Sequence, residues 1–383
     1  MHKRIFAWRG GGHFRLLVDG PKYFTRMLEA INCACQTVDL ELYLLEPGHC
    51  ASALLQALTE ASARGVQVRC VFDGFGSLSI GQTLSTLGKA GVAVRLYNPL
   101  RWQRGLNNLY RDHRKLLIVD QQCAFIGGMG ATDRFWQPTP DPAQWHEVMV
   151  EARGAVVQDW HSLFDQQWYA CLNAPVAKLG ALTIKPPPRP QHASHGWARV
   201  AYADGAQHRD ILVALTDALR HATSCIWLAT PYFLPTWQVR RLLRKAAKRG
   251  VDVRLLLTGR HTDNPPVRYA GQRYYAKLLK AGVRIFEYQP RFLHLKMVLV
   301  DEWVSIGSCN FDHWNLHFNL DANIETLDAS LRQEVAALFA KDFTQSLEIT
   351  YPHWRARPWR VRVKQKLWGA LERLALNLFR HDR

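Results

Sequence analysis

What most restricts how this chain can fold is that it says nearly the same thing twice. HRKLLIVDQQCAFIGGMG at 113–130 returns as HLKMVLVDEWVSIGSCN at 294–310. Each copy sets out a histidine, one residue, a lysine, four apolar residues, an aspartate and a short run reaching Gly-Gly or Gly-Ser. Three more segments recur in the same order. ARGVQVRCVFDG (63–74) matches KRGVDVRLLLTG (248–259), KAGVAVRLYNP (89–99) matches KAGVRIFEYQP (280–290), and VDLELYLLEPG (38–48) is answered more loosely by IWLATPYFLP (226–235). Four ordered matches, offset by only 181 to 191 residues, indicate a duplicated unit. A chain of 383 residues has room for two such units, each with its own core.

Each unit reads strand, helix, strand, helix, strand and then the His-Lys segment. The helical patterns of the first unit close on Gly65 and Gly91 and pass at once into β-branched alternation, the stop and start signals for helix and strand. Alternation of this kind predicts an α/β sheet covered by helices on both faces. The expected boundaries are a first domain over 1–171, a linker over 172–197, a second domain over 198–350 and a basic amphipathic tail over 351–383. The linker rests on PPPRP, which can neither continue a helix nor pair inside a sheet.

The chain carries 49 Lys and Arg against 32 Asp and Glu, a net +17 that favours anionic partners. Its eight cysteines include no CxxC pair, so they read as reduced, partly buried hydrophobes in a cytoplasmic setting and not as a zinc cluster; no metal is expected. No window approaches the ~20 apolar residues of a membrane-spanning helix, and the opening lacks a signal-peptide core. Any work on membranes is therefore expected from the surface.

With LLIV and MVLV as strands, His113 and Lys115 share a face and Asp120 takes the other; His294, Lys296 and Asp301 repeat the parity. The aspartates are expected to fix the turns behind them. An ammonium beside a histidine repels a divalent metal but suits a phosphodiester, whose non-bridging oxygens need positive charge as the transition state forms. Two such segments facing each other place two imidazoles and two ammoniums around one phosphorus. One histidine can attack and the other protonate the departing oxygen, so each copy supplies half an active site.

These motifs resemble the phospholipase D superfamily, whose signature is HxKx4D followed by Gly-Gly or Gly-Ser, over roughly residues 12 to 350. YFLP (232–235), KAGVRIFEYQPRFLHLK (280–296) and NLDANIE (319–325) are similar to bacterial cardiolipin synthases, in particular the short type without amino-terminal membrane spans. The resemblance implies two similar α/β domains with mixed sheets flanked by helices, related by a pseudo-twofold axis, with the active site at their interface. It implies two-step chemistry without cofactor, in which His113 forms a phosphatidyl-histidine and His294 acts as acid and then base, an assignment that follows family habit. Lys115, Lys296 and Asn310 would bind phosphate oxygens, and Glu147 and Asp321, 34 and 27 residues after a catalytic histidine, would orient the imidazoles. Gly127, Gly128, Gly307 and Ser308 complete the motifs. Two departures stand out: Gly130 replaces an asparagine common in the family, and the second motif is one residue shorter after Asp301, which predicts a tighter turn at Glu302 and Trp303.

The same catalytic pair cuts nucleic acid in related nucleases, so the substrate is read elsewhere. From His353 to Arg383 there are nine basic and two acidic residues, 9 − 2 = +7, with Trp359 and Trp368 among them. Leu367, Trp368, Leu371, Leu374, Ala375 and Leu378 fall on one side of a helix, with Lys366, Arg373 and Arg380 on the other. Such a helix lies in an anionic membrane surface or docks on the protein's own core. The loop of 101–115 brings Arg101, Trp102, Arg104 and Arg111 before the first motif, to guide an acidic headgroup or to stack single-stranded nucleic acid. Tail and family-like segments together favour lipid. The expected activity is phosphatidyl transfer between two phosphatidylglycerol molecules, giving cardiolipin and glycerol, by a peripheral protein on the cytoplasmic face of a bacterial inner membrane. A phosphodiesterase hydrolysing phospholipid or nucleic acid is the alternative, and a basic binding protein with an inactive site a third.

Overall fold

The computed structural model describes residues 5–139, 141–172, 187–190, 196–205, 208–312 and 318–378. Most of the expected linker lies outside these residues. The first half contributes strands β1 (His13–Val18), β2 (Thr37–Leu42), β3 (Gln67–Asp73), β4 (Ala93–Tyr97), β5 (Arg111–Asp112), β6 (Lys115–Val119), β7 (Cys123–Gly127) and β8 (Val148–Arg153). The second contributes β9 (Ala198–Asp204), β10 (His208–Arg209), β11 (Cys225–Thr230), β12 (Asp252–Thr258), β13 (Arg284–Tyr288), β14 (Met297–Val300), β15 (Trp303–Gly307), β16 (Asn319–Thr326) and β17 (Ser346–Ile349).

The duplication is carried into topology strand for strand. One sheet runs β1-β8-β7-β6-β2-β3-β4; the other contains the same series as β9-β16-β15-β14-β11-β12-β13, with β10 and β17 at its edges. Within each seven-strand series the three crossover strands are parallel and the remainder antiparallel. Helices of both halves end on glycines that only a left-handed backbone accommodates: Gly65 and Gly91, then Gly250 and Gly282, at φ from 84° to 92°.

The continuous apolar runs of the motif strands are explained by burial on both faces. Leu116 and Ile118 of β6, with Met297 and Leu299 of β14, enter a central core shared by the two sheets. Leu117 and Val119, and likewise Val298 and Val300, enter the outer core of their own half. Helices Val156–Ala170 and Ala329–Thr344 fill the central core with Trp160, Phe164 and Phe339, so the halves form one packed body.

Short pairings then lock the halves together reciprocally. β5, just before His113, pairs with the start of β16, and the His113 N–H donates to the Leu320 carbonyl. Just before His294, the Phe292 carbonyl accepts from His146 N–H and His294 N–H donates to the His146 carbonyl. Each histidine is thus laid against the residue preceding the other half's acid.

Candidate active site

That pairing exchanges the acids between halves. His113 Nδ1 lies 2.9 Å from Asp321 Oδ1, and His294 Nδ1 lies 2.6 Å from Glu147 Oε2. Spacing along the chain puts each acid after the histidine of its own half; the structure gives it to the other. Both imidazoles keep about a tenth of their surface exposed (12% and 11%) while the acids beneath are closed off, so only the outer ring edge meets the cleft.

The Gly-Gly and Gly-Ser variants follow from the unequal length of the acids. A Cβ on Gly128 would stand 2.1 Å from Glu147 Oε2, whereas Ser308, at the matching position, donates its hydroxyl to the shorter Asp321 at 2.6 Å. Gly127 and Gly307 are held bare by the backbone of the strands they pair with, at Val148 and Ala322.

Lys296 Nζ lies 2.7 Å from His294 Nδ1 and 3.1 Å from both His294 Nε2 and Glu147 Oε2. Lys115 Nζ donates to the His113 carbonyl and lies 5.1 Å from the Tyr43 ring centre. Asn310 is buried, with no hydrogen-bond partner for its Oδ1 among the described residues, and its amide N–H groups are the ones able to donate to a phosphate oxygen.

Burial and the neighbouring lysine together depress both imidazoles, His113 to about 4 and His294 well below its usual value, with Lys115 and His113 of the opposite half adding to the effect on His294. Burial likewise lowers Lys115 to about 7 and lowers Lys296, against the pull of Glu147. Burial raises Glu147, while at Asp321 the His113 and Ser308 contacts outweigh burial and hold the carboxyl below its ordinary range. The exchanged contacts, His113 with Asp321 and His294 with Glu147, bring both motifs to the seam between the halves.

The aspartates of the motif act at longer range than the turns behind them. Asp120 accepts from the backbone N–H groups of Cys35, Gln36 and Thr37, and Asp301 from those of Thr223, Ser224 and Cys225, anchoring the starts of β2 and β11. The shorter second turn is present as Asp301-Glu302 alone; Trp303 opens β15 and is buried under the sheet, not part of the turn.

Arg111 departs from its expected role. It is 8% exposed, with one guanidinium nitrogen on Asp73 and another on the Asn98 carbonyl, because β5 is drawn into the second sheet. Trp102 is 98% exposed, Arg101 is exposed beside it, and Arg104 bonds back to Asn98.

The terminal helix Trp359–Leu378 docks on the protein's own body, one of the two alternatives for the tail. It packs on helix Pro265–Gln272 through Gln365, which bonds Gln272, and through Gly369 and Glu372, both held by Arg273. Trp368 is half-buried at that seam, whereas Leu367, Leu371, Leu374 and Trp359 remain exposed beside Lys366. The side chains of Arg373, Ala375 and Leu378, and all of Arg380, lie outside the described residues. No described helix is long and apolar enough to cross a membrane.

Sequence reasoning missed the walls of the site. Trp145, Phe135 and Phe292 surround the His294 ring with centroids at 5.1, 5.3 and 5.7 Å, and Tyr43 lies 5.0 Å from His113. The aromatic in QWHE, two residues before Glu147, was the available signal. It also missed His146, whose Nδ1 and Nε2 reach Asp19 at 2.7 Å and Asp342 at 3.0 Å.

The family described as cardiolipin synthase, PLD-like domain, matches residues 27–168 and 215–344. Cardiolipin synthase A of Pseudomonas aeruginosa is 32% identical over 368 residues, spanning 94% of this chain and 72% of that protein. Cardiolipin synthase of Geobacillus kaustophilus is 29% identical over 356 residues, spanning 92% and 70%. Among solved structures, a phosphatidylserine synthase from Haemophilus influenzae shares the fold with a TM-score of 0.73 at 11% identity, over 96% of this chain and 94% of its own. A polyphosphate kinase from Porphyromonas gingivalis aligns at a TM-score of 0.56 and 14% identity, over 86% of this chain and 50% of its own.

Proposed function

The chain belongs to the cardiolipin synthase family of phospholipase D-like proteins, and from that membership we propose that it is a phosphatidyltransferase joining two phosphatidylglycerol molecules into cardiolipin, with release of glycerol. The observation that carries the mechanism is the pair of exchanged contacts, His113 with Asp321 and His294 with Glu147. A proton on each Nδ1, held by its carboxylate, leaves each Nε2 directed at the cleft with fixed tautomer.

Lys115, Lys296 and Asn310 take the non-bridging oxygens of the donor phosphodiester. His113 Nε2 attacks phosphorus; a P–N bond forms, the P–O bond to the headgroup breaks, and His294 gives its proton to the departing glycerol oxygen. The bound phosphodiester supplies the negative charge that favours protonated His294, offsetting the lysines that depress it in the free enzyme. In the second step a hydroxyl of another phosphatidylglycerol gives its proton to His294 and attacks phosphorus, breaking the P–N bond and freeing His113.

The protein reaches its substrate from the membrane surface, through the exposed leucines and basic residues of the terminal helix and through Trp102 with Arg101 on the other half. The eight free cysteines and the basic charge fit the cytoplasmic side. Incubation with acyl-labelled phosphatidylglycerol tests the reading: cardiolipin is the expected product. Phosphatidic acid alone would make the protein a hydrolase, and no product would overturn catalysis.

A further inference from the structure

Beyond the aromatic wall of His294 stands a carboxylate that phosphate chemistry does not call for. The Tyr232 hydroxyl donates to Asp263 Oδ2 at 2.5 Å, and Asp263 has no ion-pair partner among the described residues. Tyr232 follows β11 and Asp263 lies in the loop after β12, so both project from the carboxyl ends of parallel strands, where a cleft of this architecture opens. They adjoin the centre through a chain of rings: Tyr232 to Phe292 at 6.4 Å, Phe292 to Trp145 at 4.6 Å, and both to His294. An anion in this place weakens attraction for phosphate, so it must serve a different group.

Which group follows from the two-step reaction. The departing alcohol leaves on the side of the general acid, and the incoming alcohol enters where that residue can act as base. Both therefore use one subsite beside His294. There a carboxylate with free lone pairs accepts hydrogen bonds from hydroxyls, and its tie to Tyr232 fixes its direction.

We propose that Asp263, oriented by Tyr232, forms a polyol subsite that holds the hydroxyl vicinal to the reacting one, selecting a glycerol headgroup over water or a simple alcohol. This rests on the transferase reading above and adds the acceptor specificity that reading leaves open.

The test offers acyl-labelled phosphatidylglycerol in detergent micelles with equal concentrations of propane-1,2-diol and propan-1-ol, which differ only in the vicinal hydroxyl. The two phosphatidyl alcohols are then resolved. Wild type is expected to favour the diol. Asp263→Asn should cut the diol-to-propanol ratio about tenfold, a ratio that reads acceptor choice however far total transfer falls, and Tyr232→Phe should shift it less in the same direction. An unchanged ratio in Asp263→Asn, or a wild-type ratio near one, overturns the subsite. Cardiolipin with neither alcohol product overturns the subsite alone, whereas phosphatidic acid as the sole product fells the transferase reading and this inference with it. Asp263 is exposed on a loop, so loss of folding does not confuse the outcome.

Discussion

His113 and Lys115 are perturbed by the same burial but lose their working charge states in opposite directions, and this sets a pH window. His113 is a free nucleophile above about 4, so kcat/KM is expected to rise through that value; it then falls as His294, held below its usual value, loses the proton it must donate, and falls further through about 7 as Lys115 ceases to neutralise phosphate. The profile of kcat should extend to higher pH, because the bound phosphodiester restores the lysine's proton. Lys115→Arg, which keeps its charge throughout, should remove the fall above about 7; a persisting fall would assign it to another group. His113→Ala and His294→Ala should both abolish turnover. Asp321→Asn and Glu147→Gln, which preserve shape but not charge, should lower kcat on the order of 10³- to 10⁴-fold in steady-state assays, as expected when a histidine loses its orienting carboxylate.

Among the elements, the crossover strands, the glycine stops and the motif strands were legible because they are local: period-two and helical patterns with left-handed glycines can be read from neighbouring residues. Partners far apart were not. His113 and Asp321 are separated by 208 positions, and the spacing of acids after histidines, though real, conceals their exchange. Strand parity indicated that Asp120 leaves the face of His113 and Lys115, but could not reveal that its ligands are the N–H groups of 35–37. Arg111 looked like a surface cation because nothing nearby signals that β5 joins the far sheet. The anchors yield a prediction: Asp120→Ala or Asp301→Ala should each cost about 2 kcal/mol in denaturant midpoint experiments, since each strips a charged acceptor from three N–H groups. Their carboxyls sit below the ordinary range, so this support is present above the unfolded value and disappears as pH falls through the folded one. Gly128→Ala, by contrast, should spare the strands but displace Glu147, lowering kcat by at least about tenfold.

For the molecule as a whole, His146 ties the halves at a point beside the chemistry. Its ring bridges Asp19 of the first half and Asp342 of the second, Arg291 also reaches Asp19, and Tyr288 stacks on the ring at 5.2 Å. Burial opposes its charge, but the two carboxylates prevail and push it up to about 9. A raised histidine stabilises fully below its ordinary value and loses that support as pH rises through the folded one, so about 3 kcal/mol should fade between roughly pH 6.5 and 9. His146→Gln should flatten that part of the stability curve in thermal melts at stepped pH. At the surface, Leu367→Ser with Leu371→Ser should weaken binding to anionic vesicles while leaving turnover on detergent-dispersed substrate intact, because both side chains are exposed; unchanged vesicle affinity would return the tail to a purely structural role. The exchange of acids has a last bearing on traffic. Any gaping of the halves would strip both histidines of their carboxylates in the same instant, so turnover has to run with the jaws shut, and a four-tailed product has to leave without the halves parting.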